Sequence, residues 1–462
     1  MGRTLRLGLA LALLLFPARA WAHAHLKRSE PAAGSRITSS LQVIRLWFSE
    51  RPELLVTFIS MKDANGKEFA LGSPQNDGGD PLTVSVRVSQ PLPAGRYTVA
   101  WRAAASDGHP SHGTFGFVVL TTAAPPPNGS VPQVGTATDT IASGNATTAS
   151  LTRDENGEES DAASSMSNSL ARTFSFVGLL VLIGVIVFRN LVVPRARGID
   201  SHLKEQLESR AAALGLAASV LVILSAFARI FLESEMMSAI PGMQAMSMTD
   251  MTMHTRWGFA LRLELGAALV ALVCFALAAR QLRGAWLVAS IAAIVLAVTP
   301  ALAGHAAASP RFTSLMITSD FLHILSGASW VGNLLCVMLI GVPIALTLEG
   351  AERWQTVASL VNAFSPIALV SAAVVGASGV IASWVHLEHL SALWRTAYGQ
   401  VLLLKLALVA TTLMIGAYNF RRVQPQLVNE SGSARLRRSA ALELSVGFLI
   451  LLVTGFLTGI SP

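Results

Sequence analysis

Two hydropathy regimes divide the chain. Between residues 23 and 121, short runs alternate apolar with polar positions: Val43 to Phe48, Leu54 to Ile59, Leu82 to Val88, Tyr97 to Ala103 and Thr114 to Leu120. Gly, Pro, Asn and Asp punctuate the runs. Period-two alternation broken in this way predicts a small antiparallel β-sandwich or barrel, with an immunoglobulin-like or cupredoxin-like sandwich the expected fold class. A domain of about 100 residues buries a core without cross-links. From residue 169 to 462 long apolar stretches alternate with short polar loops. Stretches near 170–192, 211–232, 257–279, 284–303, 314–346, 361–385, 397–419 and 440–460 are each long enough to cross a bilayer. They predict an eight-helix transmembrane bundle. The fifth exceeds a simple span, so it is expected to tilt or to end in a surface turn.

Two segments fit neither regime. Arg3 and Arg6 precede an apolar run from Leu7 to Phe16, and Ala20-Trp21-Ala22 supplies small residues for a signal peptidase. Residues 1–22 therefore read as a signal peptide. Residues 122–168 contain Pro125-Pro126-Pro127, repeated Ser, Thr and Gly, and acidic residues from Asp154 to Asp161. That composition cannot pack a core and reads as a disordered linker. The expected fold class is thus mixed and multidomain: an all-β domain, a flexible tether and a membrane bundle.

Composition sharpens this picture. Of 462 residues, 52% are hydrophobic and 13% charged, with mean hydropathy +0.54. A net charge of +7 comes from loop arginines and lysines, which set topology rather than bind nucleic acid. Arg189, Arg195, Arg197, Lys204 and Arg210 follow the first stretch, and Arg421, Arg422, Arg435, Arg437 and Arg438 follow the seventh. The positive-inside rule puts both groups in the cytoplasm. The β-domain and the C-terminus then lie on the periplasmic or extracellular side of a plasma (bacterial inner) membrane, as the signal peptide requires. Cys274 and Cys336 are the two cysteines, too few for a disulfide framework or a thiolate cluster. No G-x-x-x-x-G-K-[ST] loop is present, which argues against a nucleotide-driven pump.

Candidate chemistry begins at the processed end. Cleavage after Ala22 leaves His23 with a free α-amine, so one residue offers two nitrogen donors. Asp107 and His109 flank Gly108 and point to one side of an extended segment. Three nitrogens and one oxygen suit a tetragonal copper(II) centre. A competing geometry uses the amine, two backbone amides and His25. For Asp107-Gly108-His109 alone, the plain reading is a hairpin turn. His112 reads as a surface residue.

His23-Ala24-His25-Leu26, Ser29 through Gly34 and Ser106-Asp107-Gly108-His109 resemble the CopC family of periplasmic copper-binding proteins. Asp320-Phe321-Leu322-His323, Trp330-Val331-Gly332, Phe364-Ser365-Pro366, Tyr398-Gly399-Gln400, Lys405 and Asn419 resemble the membrane partner CopD. The whole is similar to a CopC–CopD fusion. The resemblance implies a cupredoxin-like sandwich holding copper(II) through His23, Asp107 and His109, and a role in copper uptake or tolerance. The β-domain has one methionine, Met61, so a methionine-rich copper(I) site is not expected there.

Methionines gather instead after the second stretch: Met236, Met237, Met243, Met246, Met248, Met251 and Met253, followed by His254. Thioethers select copper(I), although methionine also packs as flexible filler. Small polar residues between them favour copper capture. In the fifth stretch Met316, Asp320, His323, Gly327, Trp330 and Met338 share one helix face. Ionisable groups at that depth must face the bundle or water, either as a cation path or as a polar lock between helices. Tyr398, Lys405, Thr412 and Asn419 share a face of the seventh, with Asp320 a candidate partner for Lys405. His305 joins His254 and His323 at the expected entry. His386 with His389, and His202, read as solvated.

The expected function is capture of copper(II) outside the membrane and passage of copper into or across it, with reduction by an outside reductant or donor. Such a protein is no enzyme. The alternatives are sequestration without transport, and a haem-binding membrane oxidoreductase with His305 and His323 as ligands.

Overall fold

The computed structural model describes residues 26–38, 41–104, 110–120, 155–239, 248–308, 312–386, 389–427 and 430–459. The β-domain is built from β1 (Leu26–Glu30), β2 (Arg36–Ile37), β3 (Val43–Phe48), β4 (Phe58–Asp63), β5 (Glu68–Phe69), β6 (Gln75–Asp77), β7 (Asp80–Arg87), β8 (Gly95–Ala104) and β9 (Pro110–Val119). They form two sheets, ordered β1-β3-β7-β6 and β2-β9-β8-β4-β5. Alternation does what the sequence predicts: along β3, Ile44, Leu46 and Phe48 turn inward while their neighbours stay partly exposed. They meet Met61, Val99, Trp101 and Phe117 of the other sheet in one apolar core. The run Leu54 to Ile59 is not a single strand. Leu54–Val56 makes a tight turn with Leu55 exposed, and β4 starts at Phe58.

Trp101 fixes one end of this core. Its ring lies edge-on to Phe48 at 5.2 Å and over Gly113 of the paired strand. A Cβ at Gly113 would stand 2.9 Å from that ring. Gly113→Ala is therefore expected to destabilise the β-domain by about 1–3 kcal/mol through overpacking. Urea unfolding of the domain checks this.

Eight helices among the described residues are long and apolar enough to cross a membrane: Met166–Val192, Ser201–Glu235, Arg256–Ala279, Gly284–Ala303, Thr313–Ala345, Glu352–Val385, Ala397–Gln426 and Ser431–Leu457. They are called spans one to eight below. The helix of span one reaches back to Glu155, into the segment read as tether. The sequence holds no proline between Pro132 and Pro194 to stop it. Span five stays helical throughout its length. It ends in a turn at Leu346 and Thr347, and inside it lie two π-helical turns, Ala328–Gly332 and Val337–Gly341. Spans one and five touch backbone to backbone: a Cβ at Gly332 would stand 2.1 Å from the Leu180 carbonyl oxygen. Small residues permit this approach in lipid, where close packing drives association.

Polar pairs pin both ends of the bundle. On the arginine-rich side, Arg189 meets Glu208 at 3.4 Å and lies over the Trp286 ring. On the opposite side, Arg229 of span two is bonded to Glu264 of span three, and Ser175 of span one donates to the same carboxylate at 2.8 Å. Glu264 is buried. Arg229→Leu leaves that carboxylate uncompensated, so a loss of about 3–5 kcal/mol is expected. A lowered melting temperature of the detergent-solubilised protein would register it.

Candidate metal centre

His23, His25, Asp107, His109 and Met246 lie outside the described residues. The strands that lead to them are described, and they meet at one end of the sandwich. β1 starts at Leu26, three residues after His23, and Leu26 pairs with Phe48. Phe48 touches Trp101, which pairs with Gly113. Three residues further along, Ala104 pairs with Pro110, so β8 and β9 close on segment 105–109 there. The first described residue after His23 and the paired strand ends that flank Asp107 and His109 thus belong to the same end of the domain. His112, on β9, pairs with Arg102 and is exposed. Met61 is fully buried in the core, where its thioether is packing.

That same end rests on the bundle. Val56 and Ala104 are buried in a cluster with Ala226, Met251, Trp257 and Leu261. Arg256 lies 3.9 Å from Glu53, whose backbone N–H donates to the Ala104 carbonyl at 2.9 Å. The contact falls on a short helix, Met248–His254, just ahead of span three. The helix sorts its methionines. Met251 is buried against the β-domain, whereas Met253 is 55% exposed. His254 and Asp250 are 3.8 Å apart, one turn from each other on the exposed side. Thr255 caps span three by accepting from the Gly258 N–H at 3.0 Å.

Inside the bundle, His323 of span five lies 3.0 Å from the Ser378 hydroxyl of span six through Nδ1. Ser378 donates its own proton to the Val374 carbonyl at 2.7 Å. With that proton so placed, the hydroxyl oxygen can accept from Nδ1–H, the tautomer in which Nε2 carries the lone pair, and the Val375 backbone is a further hydrogen-bond partner of the ring. A histidine oriented in this way has the arrangement metal ligands usually have. Asp320 lies in electrostatic range of Lys405 and Tyr398 of span seven, and Lys405 in range of His323. Asp320, the candidate partner read from sequence for Lys405, thus lies within electrostatic range of it across spans five and seven. His305 opens the one-turn helix His305–Ala308, but its side chain is outside the description. Among the described residues, no three His, Cys, Asp or Glu side chains converge as a metal site.

Two polar groups escaped the sequence reading. Ser378 is one. The other is Glu443 of span eight, which accepts from Trp330 Nε1 at 3.1 Å and from Asn419 Nδ2 at 3.0 Å. A lone acid in an apolar run was the available signal.

A folded β-domain seated on eight apolar helices defines a multi-pass membrane protein with one domain outside the helices. Residues 26–120 match the CopC domain, 163–310 the copper resistance protein D-like N-terminal domain, and 358–457 copper resistance protein D. The chain belongs to the CopC family through its β-domain and carries CopD domains in the same polypeptide. Span five falls between the two membrane matches. The copper transport protein CutJ of Bacillus subtilis (strain 168) is 25% identical over 461 residues, covering 98% of this chain and 76% of that one. Copper resistance protein C of Pseudomonas syringae pv. tomato is 37% identical, over 26% of this chain and 98% of its own. The crystal structure of PcoC, a methionine-rich copper resistance protein from Escherichia coli, is 33% identical; the match covers 21% of this chain and all of that one, with a TM-score of 0.20.

Proposed function

We propose that the protein captures copper(II) outside the plasma membrane and passes copper inward through its helical bundle. The α-amine and imidazole of His23, with Asp107 and His109, form the capture site. Three nitrogens and one oxygen suit the oxidised ion. The ion then moves to the methionine segment, where Met246, Met248 and Met253 with His254 are the candidate soft ligands. Thioethers favour copper(I), so an outside reductant supplies one electron per ion during transfer. His305, Asp320 and His323 lead into the bundle. Nothing covalent is made or broken in the cargo, so the protein acts as a carrier rather than an enzyme. The heavy arginine loops face the cytoplasm, and the β-domain and C-terminus face outward.

The observation that carries this reading is the joint of Val56 and Ala104 with Met251, Trp257 and Leu261. It supports direct handover, because segment 105–109 starts one residue beyond Ala104. In this reading Met251 serves the joint, not the ion. Val56→Asp places an unpaired charge there. It is expected to cut copper accumulation at least about fivefold, a cost of about 1 kcal/mol in coupling, while copper(II) binding by the β-domain persists. Unchanged accumulation would remove the joint from the path. Sequestration without transport is favoured by one observation, the lysine Lys405 within electrostatic range of Asp320 and His323. Copper counted inside and outside spheroplasts separates the two.

A further inference from the structure

Glu443 stands in the eighth span, 4% exposed. Its two carboxylate oxygens are held by neutral donors from two other spans: the indole N–H of Trp330, 6% exposed, and the amide of Asn419. Among the described residues it has no ion-pair partner. Arg172 of span one lies by Gly459, at the far end of span eight. Tyr418, Arg421 and Arg422 of span seven are exposed. Lys405, in electrostatic range of Asp320, lies about four turns along span seven from Asn419. On its own helix, Arg437 and Arg438 lie more than a turn away, toward the arginine-rich end. A lone carboxylate shielded from water is costly unless it binds a cation.

Both donors sit at irregularities. Trp330 lies within the π-helical turn Ala328–Gly332, and Asn419 opens another, Asn419–Val423. Such turns are costly and often mark functional positions. The amide oxygen of Asn419 is buried without a partner, as are both amide atoms of Asn333, one residue beyond the Trp330 turn. The group therefore serves two states. With the carboxylate ionised, Trp330 and Asn419 both donate to it. With the carboxyl protonated, its O–H donates to Asn419 Oδ1 after the amide rotates. The oxygens are hard donors, suited to a proton rather than to copper(I). Trp330 lies seven residues along span five from His323, about 10 Å by helical rise.

We propose that Glu443 is a proton-binding site inside the bundle, and that the Trp330–Glu443–Asn419 group couples one proton to each copper ion passing His323. The coupling rests on the transport reading above; the proton site does not.

The full chain in sealed liposomes, supplied with copper and excess ascorbate, tests the coupling. At one proton per ion, a gradient of one pH unit shifts the copper accumulation ratio about tenfold. Glu443→Gln keeps the shape and mimics the protonated carboxyl, its amide N–H donating to Asn419 Oδ1 once that amide rotates, and it is expected to remove that response. Wild-type flux indifferent to pH, a variant that responds like wild type, or a sodium gradient acting in place of the proton gradient would overturn the proposal. Absence of any wild-type flux would overturn the transport reading and the coupling with it. The proton site is then decided by infrared difference spectra of the full chain between two pH values. A protonated-carboxyl stretch missing from Glu443→Gln, and displaced but present in Trp330→Phe, is expected. A stretch unchanged in Glu443→Gln would show that the residue binds no proton.

Discussion

Adding one residue ahead of His23 is expected to weaken copper(II) binding by on the order of 10²-fold, although no side chain changes. The extension turns the α-amine of His23 into an amide, a much poorer donor at that place in the centre, and moves the new amine one residue away from it. A loss of about 3 kcal/mol corresponds to that factor, and it is modest for removing one of four ligands. The imidazoles of His23 and His109 and the Asp107 carboxylate remain, so residual binding is expected to be weaker and less tetragonal. Titration of the β-domain, read by electron paramagnetic resonance, checks this: nitrogen couplings drop from three to two. The competing geometry through His25 separates cleanly. It also needs the amine, but His109→Ala would leave it intact, whereas the proposed centre loses a nitrogen.

The second large effect lies in span five. His323→Ala and Asp320→Ala are each expected to abolish copper accumulation while β-domain binding stays as in wild type. Ser378 holds the His323 ring through Nδ1, and the tautomer protonated there is the one that would offer Nε2 to a metal. Ser378→Ala should therefore reduce flux by about 10–100-fold, the usual range for losing a group that orients a ligand. Flux unchanged in both span-five variants would take that helix out of the path. Flux lost together with folded protein would reassign Asp320 to the lock between spans five and seven, where Lys405 already lies in range of it.

Much of the architecture was legible because periodicity is written residue by residue. Ile44, Leu46 and Phe48 alternate in sequence and alternate in burial. The eight apolar stretches became eight helices because only length and hydropathy decide that. What stayed hidden depends on contacts between distant segments. The π turns of span five arise where Gly332 must let span one approach, and no local pattern announces them. Met251 shows the limit of motif reading. Its spacing among other methionines suggested a ligand, but the short helix turns it into the joint with Val56 and Ala104. The joint itself pairs residues from both halves of the chain, so neither half's pattern contains it. Glu443 was visible as an acid in an apolar run, yet its donors come from spans five and seven and are found only in three dimensions.

The central claim is that copper caught outside reaches the cytoplasm through this one chain. Radioactive copper supplied under scarcity to cells with and without the protein, with the cytoplasmic fraction counted after spheroplast lysis, addresses it most directly. A clear excess is expected in cells that carry the protein, and its loss on His323→Ala. Equal cytoplasmic counts in all three strains, with label bound only at the surface, would contradict it.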